Sequence, residues 1–493
     1  MLKKSTVILW FRQDFRLIDN LALNDAFEKY DCVIPVYIYS PDEEKPWQPG
    51  QASQWWLHHS LIALQSDLRE KYGLALQIRS GNSADQLKAL VLEGSANAIF
   101  WNRRYEPEII KRDESIKNYF KETDIYVKSY NSTLLFEPWQ IKNKKEQPYK
   151  VFTKFYKTCL AQPLQNYQIT KPSKIPASVP LKTNLSIESL MLLPKHAWDK
   201  KFHDLWCIGE ESAQQQFMYF IEHHLNDYQS QRDVIAKNVT SVLSTHIHFG
   251  EISPRQIFSV TQQLKLNNET GIDIKAIDEF ERQLIWREFS HHLLFNFPHS
   301  SQQVFNQKYA TFPWHSDQKI LDLWQQGNTG IPLIDAGMKQ LWQTGIMHNR
   351  VRMIVASFLV KNLGQHWLNG ARWFWETLLD ADLANNTMGW QWVAGCGADA
   401  APYYRIFNPV RQGELCDPDG DYVRKWIPEL SRLPSRYIHS PWQASTSLLK
   451  ECRVKLSENY PEPLVDLAES RKNALEISKT WLSNQNDRLE LNV

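Results

Sequence analysis

A doubly wound parallel α/β domain followed by an all-helical domain is the fold class this chain predicts, and three observations carry it. Short β-branched or aromatic runs alternate with helical stretches up to about residue 130; a Pro-, Ser- and Lys-containing stretch follows; from about residue 200 strand-like runs cease. The strand candidates are TVILWFR (6–12), CVIPVYIY (32–39), LALQIRS (74–80), AIFWN (98–102) and DIYVKSY (124–130). Near-continuous apolar runs of this kind suit parallel strands covered on both faces. WWLHHSLIALQSDLREKYG (55–73) and SADQLKALVLEG (83–94) have helical periodicity and lengths that suit right-handed crossovers. The α/β domain is therefore expected over 1–131. The next segment, 132–199, reads as a linker. It holds a basic, aromatic helix candidate, PYKVFTKFYKTCL, and then PLQNYQITKPSKIPASVPLKTNLS, whose composition suits an extended path over the surface. AIDEFERQLIWREFSHHLLFNF and NRVRMIVASFLVKNL carry the helical period through 200–485, with 486–493 as a tail.

Composition narrows the function by exclusion. With 56 Lys+Arg against 55 Asp+Glu the net charge is +1, so a polyanionic partner has to be met by a local basic patch and not by a global field. Six cysteines, Cys32, Cys159, Cys207, Cys396, Cys416 and Cys452, lack CxxC spacing, which argues against a disulfide framework or zinc site and for small core hydrophobes in a reducing compartment. No metal site is expected. The short apolar run near the N-terminus is no membrane span, and a cytoplasmic location is expected.

Several constellations can carry chemistry. GCGADA (395–400) matches a dinucleotide fingerprint as a string, but it lies in a helical context without the preceding strand that the fingerprint requires, and it reads as a turn. NVTSVLSTHIHFGEISPRQI offers Thr240, Ser241 and Ser244 near a helix start, where hydroxyls, amides and the helix dipole favour an anion; simple capping is the competing reading. Tyr228 and Arg232 lie just upstream. Trp390 and Trp392, among 20 tryptophans, are two residues apart and so point about 200° apart on a helix, into different environments. Asp380, Asp382, Asn385 and Asn386 precede them, and such groups need partners if buried. Arg350 and Arg352 are split in the same way, one able to pair with a carboxylate while the other reaches a phosphate. Trp286 stands beside Arg287, a pairing that suits nucleic acid as well as an ordinary core.

LWFRQDFRLIDNLAL, HIHFGEISPRQ, LIWREF, GNTGIPLIDAGMKQL, MHNRVRMI and DADLANNTMGWQWVAGCGADAAPYYRIFNP, in this order, resemble the photolyase/cryptochrome family, and most of all its bacterial class I cyclobutane pyrimidine dimer photolyases. The resemblance implies FAD in the helical domain and light-driven splitting of pyrimidine dimers, with an electron lent by the excited reduced flavin and returned afterwards. It also implies that damaged DNA is the partner, the dimer being flipped out of the stack as in other enzymes of this kind. A monomer is expected. Carried over by position, Tyr228 and Thr240, Ser241, Val242, Leu243 and Ser244 would hold the diphosphate side of the flavin, with Phe280 and Ala381 among its contacts. Asp380 and Asp382 would meet the flavin edge, Arg352 would pair with Asp380, and Asn386 would lie near flavin N5. Trp390, Trp367 and Trp314 would pass electrons between flavin and surface. Trp286 and Trp392 would flank the dimer, Arg287, Asn349, Met353 and Gln412 would line the DNA side, and Arg232, Arg350 and Arg405 would contact phosphates. Trp373 and Trp375 match no electron-transfer position of the family and read as packing.

Departures from the class I pattern are explicit. Gln283 stands where these enzymes carry Glu, and Ile346 where they often carry Trp. The amide is reminiscent of (6-4) photolyases, yet Asn349 and Met353 keep the cyclobutane-type pattern. At the antenna site the positions expected to hold Asn and Glu for a folate read Glu108 and Ile109, leaving folate, a deazaflavin, another pigment or an empty site as the alternatives. The rival function is a cryptochrome-type photoreceptor that does not repair DNA.

Overall fold

The structure, a computed structural model, describes residues 4–162, 169, 171–194, 197–267, 271–400 and 405–490. All five expected strands form, as β1 (Thr6–Phe11), β2 (Cys32–Tyr39), β3 (Gln77–Ser80), β4 (Ala98–Asn102) and β5 (Tyr126–Tyr130), parallel and in the order β3-β2-β1-β4-β5. Strands β1 and β4 are buried at every position, which is why their sequences are apolar without alternation. A sixth strand, β6 (Ala177–Ser178), went unforeseen: two residues of the linker add in parallel to β2 through Cys32 and Val33. Pro35 has no N–H to donate, and it falls in the gap between this pairing and that of β3, which starts at Val36.

The helices are α1 (Leu21–Lys29), α2 (Gln51–Tyr72), α3 (Ser83–Gly94), α4 (Pro107–Lys121), α5 (Phe152–Ala161), α6 (Glu210–His223), α7 (Leu225–Gln231), α8 (Ser244–His248), α9 (Pro254–Leu266), α10 (Ile274–Asn296), α11 (Gln318–Gln325), α12 (Pro332–Thr344), α13 (Asn349–Ser357), α14 (Trp367–Thr377), α15 (Leu383–Ala394), α16 (Pro409–Cys416), α17 (Asp421–Trp426), α18 (Ser435–Ile438), α19 (Thr446–Glu451) and α20 (Leu467–Glu490). By compactness the chain forms two units, the first comprising 1–229, 240–298 and 379–384, the second 230–239, 299–378 and 385–493.

Within the first unit the sheet is covered on both faces. One face packs Leu9, Phe11, Phe27 and Phe100 with Trp55, Trp56 and Leu61 of α2, and the other packs Ile8, Trp10, Ile34 and Trp101 with Leu87, Leu90 and Phe120. Two buried carboxylates tie the α/β part to the helices that follow it, and a third ties the segment just after the last strand. Glu210 accepts from Leu17 N (2.9 Å) and Ile18 N (2.8 Å). Glu251 accepts from Trp56 Nε1 (3.2 Å) and Ser60 Oγ (2.5 Å), and Glu288 from Leu135 N (2.9 Å) and Phe136 N (3.1 Å). In each case a carboxylate satisfies donors that burial would otherwise leave unpaired.

In the second unit, Asp335 of α12 accepts from Thr329 N and Oγ1 (both 2.7 Å), Gly330 N (3.0 Å) and Tyr460 Oη (2.8 Å). This network explains the GNTGIPLIDAG motif. Gly330 has φ 73°, and a Cβ there would lie 2.1 Å from Glu462 O. GCGADA is the stop of α15, with Gly395 and Gly397 both donating backbone N–H to Gln391 O, at 3.1 and 2.9 Å. All six cysteines are free; Cys207 is exposed, which corrects the expectation that every one packs in a core. Among the described residues no helix is long and apolar enough to cross a membrane, and no cluster of ligating side chains suits a metal.

Candidate active site

In the first unit the expected phosphate run forms a turn immediately before α8. Val242 lies in the left-handed region at φ 55°, unusual for a β-branched residue, so the turn is held open by its surroundings and not by propensity. Gln216 of α6 donates to Ser241 O (3.1 Å), fixing the turn from below. Thr245 Oγ1 is buried with no hydrogen-bond partner. Tyr228 and Phe280 meet edge to face at 5.6 Å, with Phe220 against both, so two expected cofactor residues share one aromatic cluster. Asp380, Ala381 and Asp382 are all buried. Burial alone would raise the Asp382 carboxyl, but His291 Nε2 at 3.4 Å, His248 Nδ1 at 3.8 Å and the charge of Arg287 outweigh it and hold the group well below the usual carboxylate range. Neither histidine was singled out from the sequence, although HIHFG and SHHLL contain them.

One face of α10 gathers the expected dimer-side residues. Glu279, Gln283 and Trp286 follow at i, i+4 and i+7 and are all half-buried, as is Arg287. Trp286 is stacked face to face on Phe152 of α5, with centroids 3.4 Å apart and planes within 6°. Arg282 lies over the Phe152 and Tyr156 rings at 5.6 and 5.7 Å. Arg287 Nη1 donates to Thr133 O (2.9 Å). Gln283 donates to Glu279 Oε1 (2.9 Å) and to Glu279 O (3.3 Å). At the expected antenna positions, Ile109 is core and Glu108 pairs with Lys111 at 2.9 Å.

The second unit holds the indoles. Trp390 and Trp367 are buried and Trp314 is half-buried. Trp390 packs against Phe374 of α14 (5.0 Å) and against Trp324 (6.2 Å), and it lies so close to Gly370 that a Cβ there would fall 2.0 Å from its ring. Trp367 stands one turn before Gly370 and stacks on His366 (5.9 Å), which in turn meets Trp314 (4.9 Å). Trp367 and the half-buried Trp314 are thus linked through His366, while Trp390 packs against Gly370 on the same helix. Trp392 is half-buried where Trp390 is buried, the split that helical geometry requires. Asn386 gives its amide N–H to Ala371 O (2.9 Å), so its Oδ1 is the group it presents. Trp373 does not simply fill a core: it stacks at 6.0 Å and 5° on the exposed Trp342.

Arg350 Nη2 is paired with Asp233 at 2.5 Å on the surface, and Arg352 Nε donates to Met347 O at 2.7 Å. Asn349 and Met353 touch across one turn of α13, Nδ2 to Sδ 3.9 Å. Arg232 and Gln412 are half-buried, and Arg405 is exposed with its carbonyl accepting from Lys361 Nζ.

These groups fit a flavin dinucleotide. Within the first unit, a turn with a left-handed residue and an unpaired buried hydroxyl offers donors suited to phosphate, and a buried ionised carboxylate offers an acceptor suited to an imide. Residues 280–480 match the FAD binding domain of DNA photolyase, and residues 7–177 match the DNA photolyase family model. The chain belongs to the photolyase/cryptochrome family and carries its FAD-binding domain. It is 44% identical over 476 residues to the deoxyribodipyrimidine photo-lyase of Agrobacterium fabrum, covering 96% of this chain and 98% of that one. It is 37% identical to Cryptochrome-2 of Arabidopsis thaliana, over 94% of this chain and 77% of the relative. Among solved structures, a bacterial class III photolyase from Agrobacterium tumefaciens superposes with TM-score 0.93 at 42% identity, over 98% of this chain and 99% of that one. An archaeal photolyase from Sulfolobus tokodaii, described with two FAD molecules, gives 0.80 at 29%, over 96% and 100%. The class I expectation finds no support here, since the solved photolyase at 42% identity is a class III enzyme.

Proposed function

We propose that this protein is a light-dependent deoxyribodipyrimidine photo-lyase, of class III type, that splits cyclobutane pyrimidine dimers in DNA. The observation that carries the reading is the Trp286 platform: an indole backed face to face by Phe152, with Gln283 one turn away on the same helix face. A flat aromatic face beside an amide suits a flipped pyrimidine pair, which needs stacking and an edge partner once it has left the duplex. Asn349 and Met353 retain the cyclobutane-type pattern on α13.

When bound, reduced FAD excited by light supplies the electron that opens the cyclobutane ring and takes it back. The chain's own residues do the rest. Tyr228, Phe280 and the turn 240–244 seat the cofactor, and Asp382 is kept anionic by its two histidines. Asn386 presents an acceptor to the flavin ring, and Trp390, Trp367 and Trp314 recharge the cofactor from the surface. Arg232, Arg350 and Arg405 bind phosphates, and Arg287, Trp392 and Gln412 complete the DNA side. We assign 1–131 to the antenna-side domain, 132–199 to the linker and 200–485 to the catalytic domain.

Purified protein illuminated with dimer-containing DNA should restore the pyrimidines, and its absorption spectrum reports FAD together with any second chromophore. Flavin photoreduction without repair would instead support a cryptochrome-type receptor. Trp390→Phe should leave oxidised flavin unreduced under blue light with external reductant, while enzyme already holding reduced flavin still repairs. Photoreduction of this variant at the wild-type rate would remove Trp390 from the electron path.

A further inference from the structure

Gln283 is not an isolated amide. Its Nε2 faces two acceptors of the preceding helical turn, Glu279 Oε1 at 2.9 Å and Glu279 O at 3.3 Å. A carboxylate and a carbonyl only accept, so both contacts require the nitrogen and not the oxygen of the carboxamide on that side, and the orientation is settled by chemistry. The two N–H groups are thereby turned back along α10, in the direction that helical side chains already favour. Oε1 is what remains. It stands on the half-buried face that carries Trp286 one turn further on.

We propose that Glu279 is a positioning residue for substrate recognition: it locks the Gln283 carboxamide so that the site presents a hydrogen-bond acceptor and no donor toward the base edge. The inference rests on the reading of Trp286 and Gln283 as the dimer platform. The edge of a pyrimidine dimer offers carbonyl acceptors and, where the base is thymine or uracil, an imide N3–H donor. An acceptor-only partner selects the N3–H. A free carboxamide could instead turn over and donate to a carbonyl, so without Glu279 the site would lose its preference. The device reproduces the accepting half of what a carboxylate at position 283 would do, and it does so with a neutral side chain whose orientation is set from one turn away.

The experiment is a binding titration in the dark, with the flavin-loaded full chain and three DNA duplexes: undamaged, carrying a thymine dimer, and carrying the same dimer methylated at both N3 atoms. Wild type should prefer the unmethylated dimer by roughly fivefold or more, the scale of one hydrogen bond. Glu279→Ala should lower that ratio by most of this factor. The steric bulk of the methyl groups is common to both proteins, so the change in ratio isolates the orientation of Gln283. Glu279→Gln, which keeps an acceptor at the same place, should restore the ratio, a rescue that loss of charge or of helix stability would not give. Equal ratios for wild type and Glu279→Ala, with flavin retained and the thermal midpoint close to wild type, overturn the inference and leave the dimer platform standing. Failure of the wild type to prefer the dimer over undamaged DNA overturns the platform and the inference together.

Discussion

Arg350, proposed above as a phosphate contact, is held by a carboxylate. Its guanidinium and the half-exposed Asp233 form a surface pair, worth at most about 1 kcal/mol after screening, so a phosphate can displace it but competes with it. Asp233→Asn should therefore tighten binding to damaged and undamaged duplexes alike, by roughly two- to fivefold at low salt. Arg350→Ala should weaken both and reduce the slope of log K against log salt by about one. Anisotropy titrations across a salt series test the pair, and an Asp233→Asn protein that binds like wild type would show that the carboxylate does not compete. The sequence revealed that Arg350 and Arg352 face apart, because the helical angle alone requires it. It could not reveal the partner, since Asp233 is 117 positions away and nothing local marks it. Gln283 repeats the lesson in a milder form. Its departure from the class I pattern was visible, while the Glu279 contact, although only one turn away, depends on side-chain rotamers that a sequence does not state.

Helices α5 and α10 were each readable from periodicity, but their meeting was not. Phe152 and Trp286 stack across 134 positions, given by their residue numbers, and an aromatic residue in a basic stretch carries no sign of what it will face. Phe152 is buried, so replacing it with Leu preserves most of its apolar area and removes the flat backing of the indole. Aromatic pairs contribute about 0.5–1.5 kcal/mol beyond area. Phe152→Leu should thus weaken dimer binding by roughly two- to tenfold while flavin content is unchanged. A variant with wild-type dimer affinity would mean that Trp286 holds its position without Phe152. Elsewhere the sequence read elements well where backbone chemistry dominates: GCGADA as a turn follows from its helical context, and the separation of Trp390 from Trp392 follows from helix geometry. It missed β6, because two residues give no period to read, and it missed His248 and His291, whose role appears only when Asp382 is folded between them.

Over the whole molecule the class of each half was legible, since continuous apolar runs and helical periods are properties of composition along the chain. What the chain did not announce is that Glu210, Glu251 and Glu288 fasten the α/β part and the segment just after it to α6–α10 inside one compact unit. Burial raises the Glu288 carboxyl above its ordinary value of 4.5 despite Arg287 and the amides of Phe136 and Leu135. A raised folded pKa means that the group's contribution is full below about 4.5 and is lost as pH rises toward the folded value. Glu288→Gln, which keeps an acceptor and cannot ionise, should gain on wild type in thermal midpoint as pH rises from 4 to 8, by about 1–2 °C for each kcal/mol of relieved burial. A difference independent of pH would show that the bonds of Glu288, and not its charge, decide the outcome.

The same three carboxylates bear on modularity. A chimaera that takes its nucleotide-fold half from one relative and its helices from another, joined in the linker after residue 136, would strand three buried acids opposite backbone amides, an indole and a hydroxyl that need not be in register. Recombination is therefore expected to succeed only where residues 210, 251 and 288 travel with the loops they grip, and interchangeable halves are not what this architecture offers to evolution or to protein engineers.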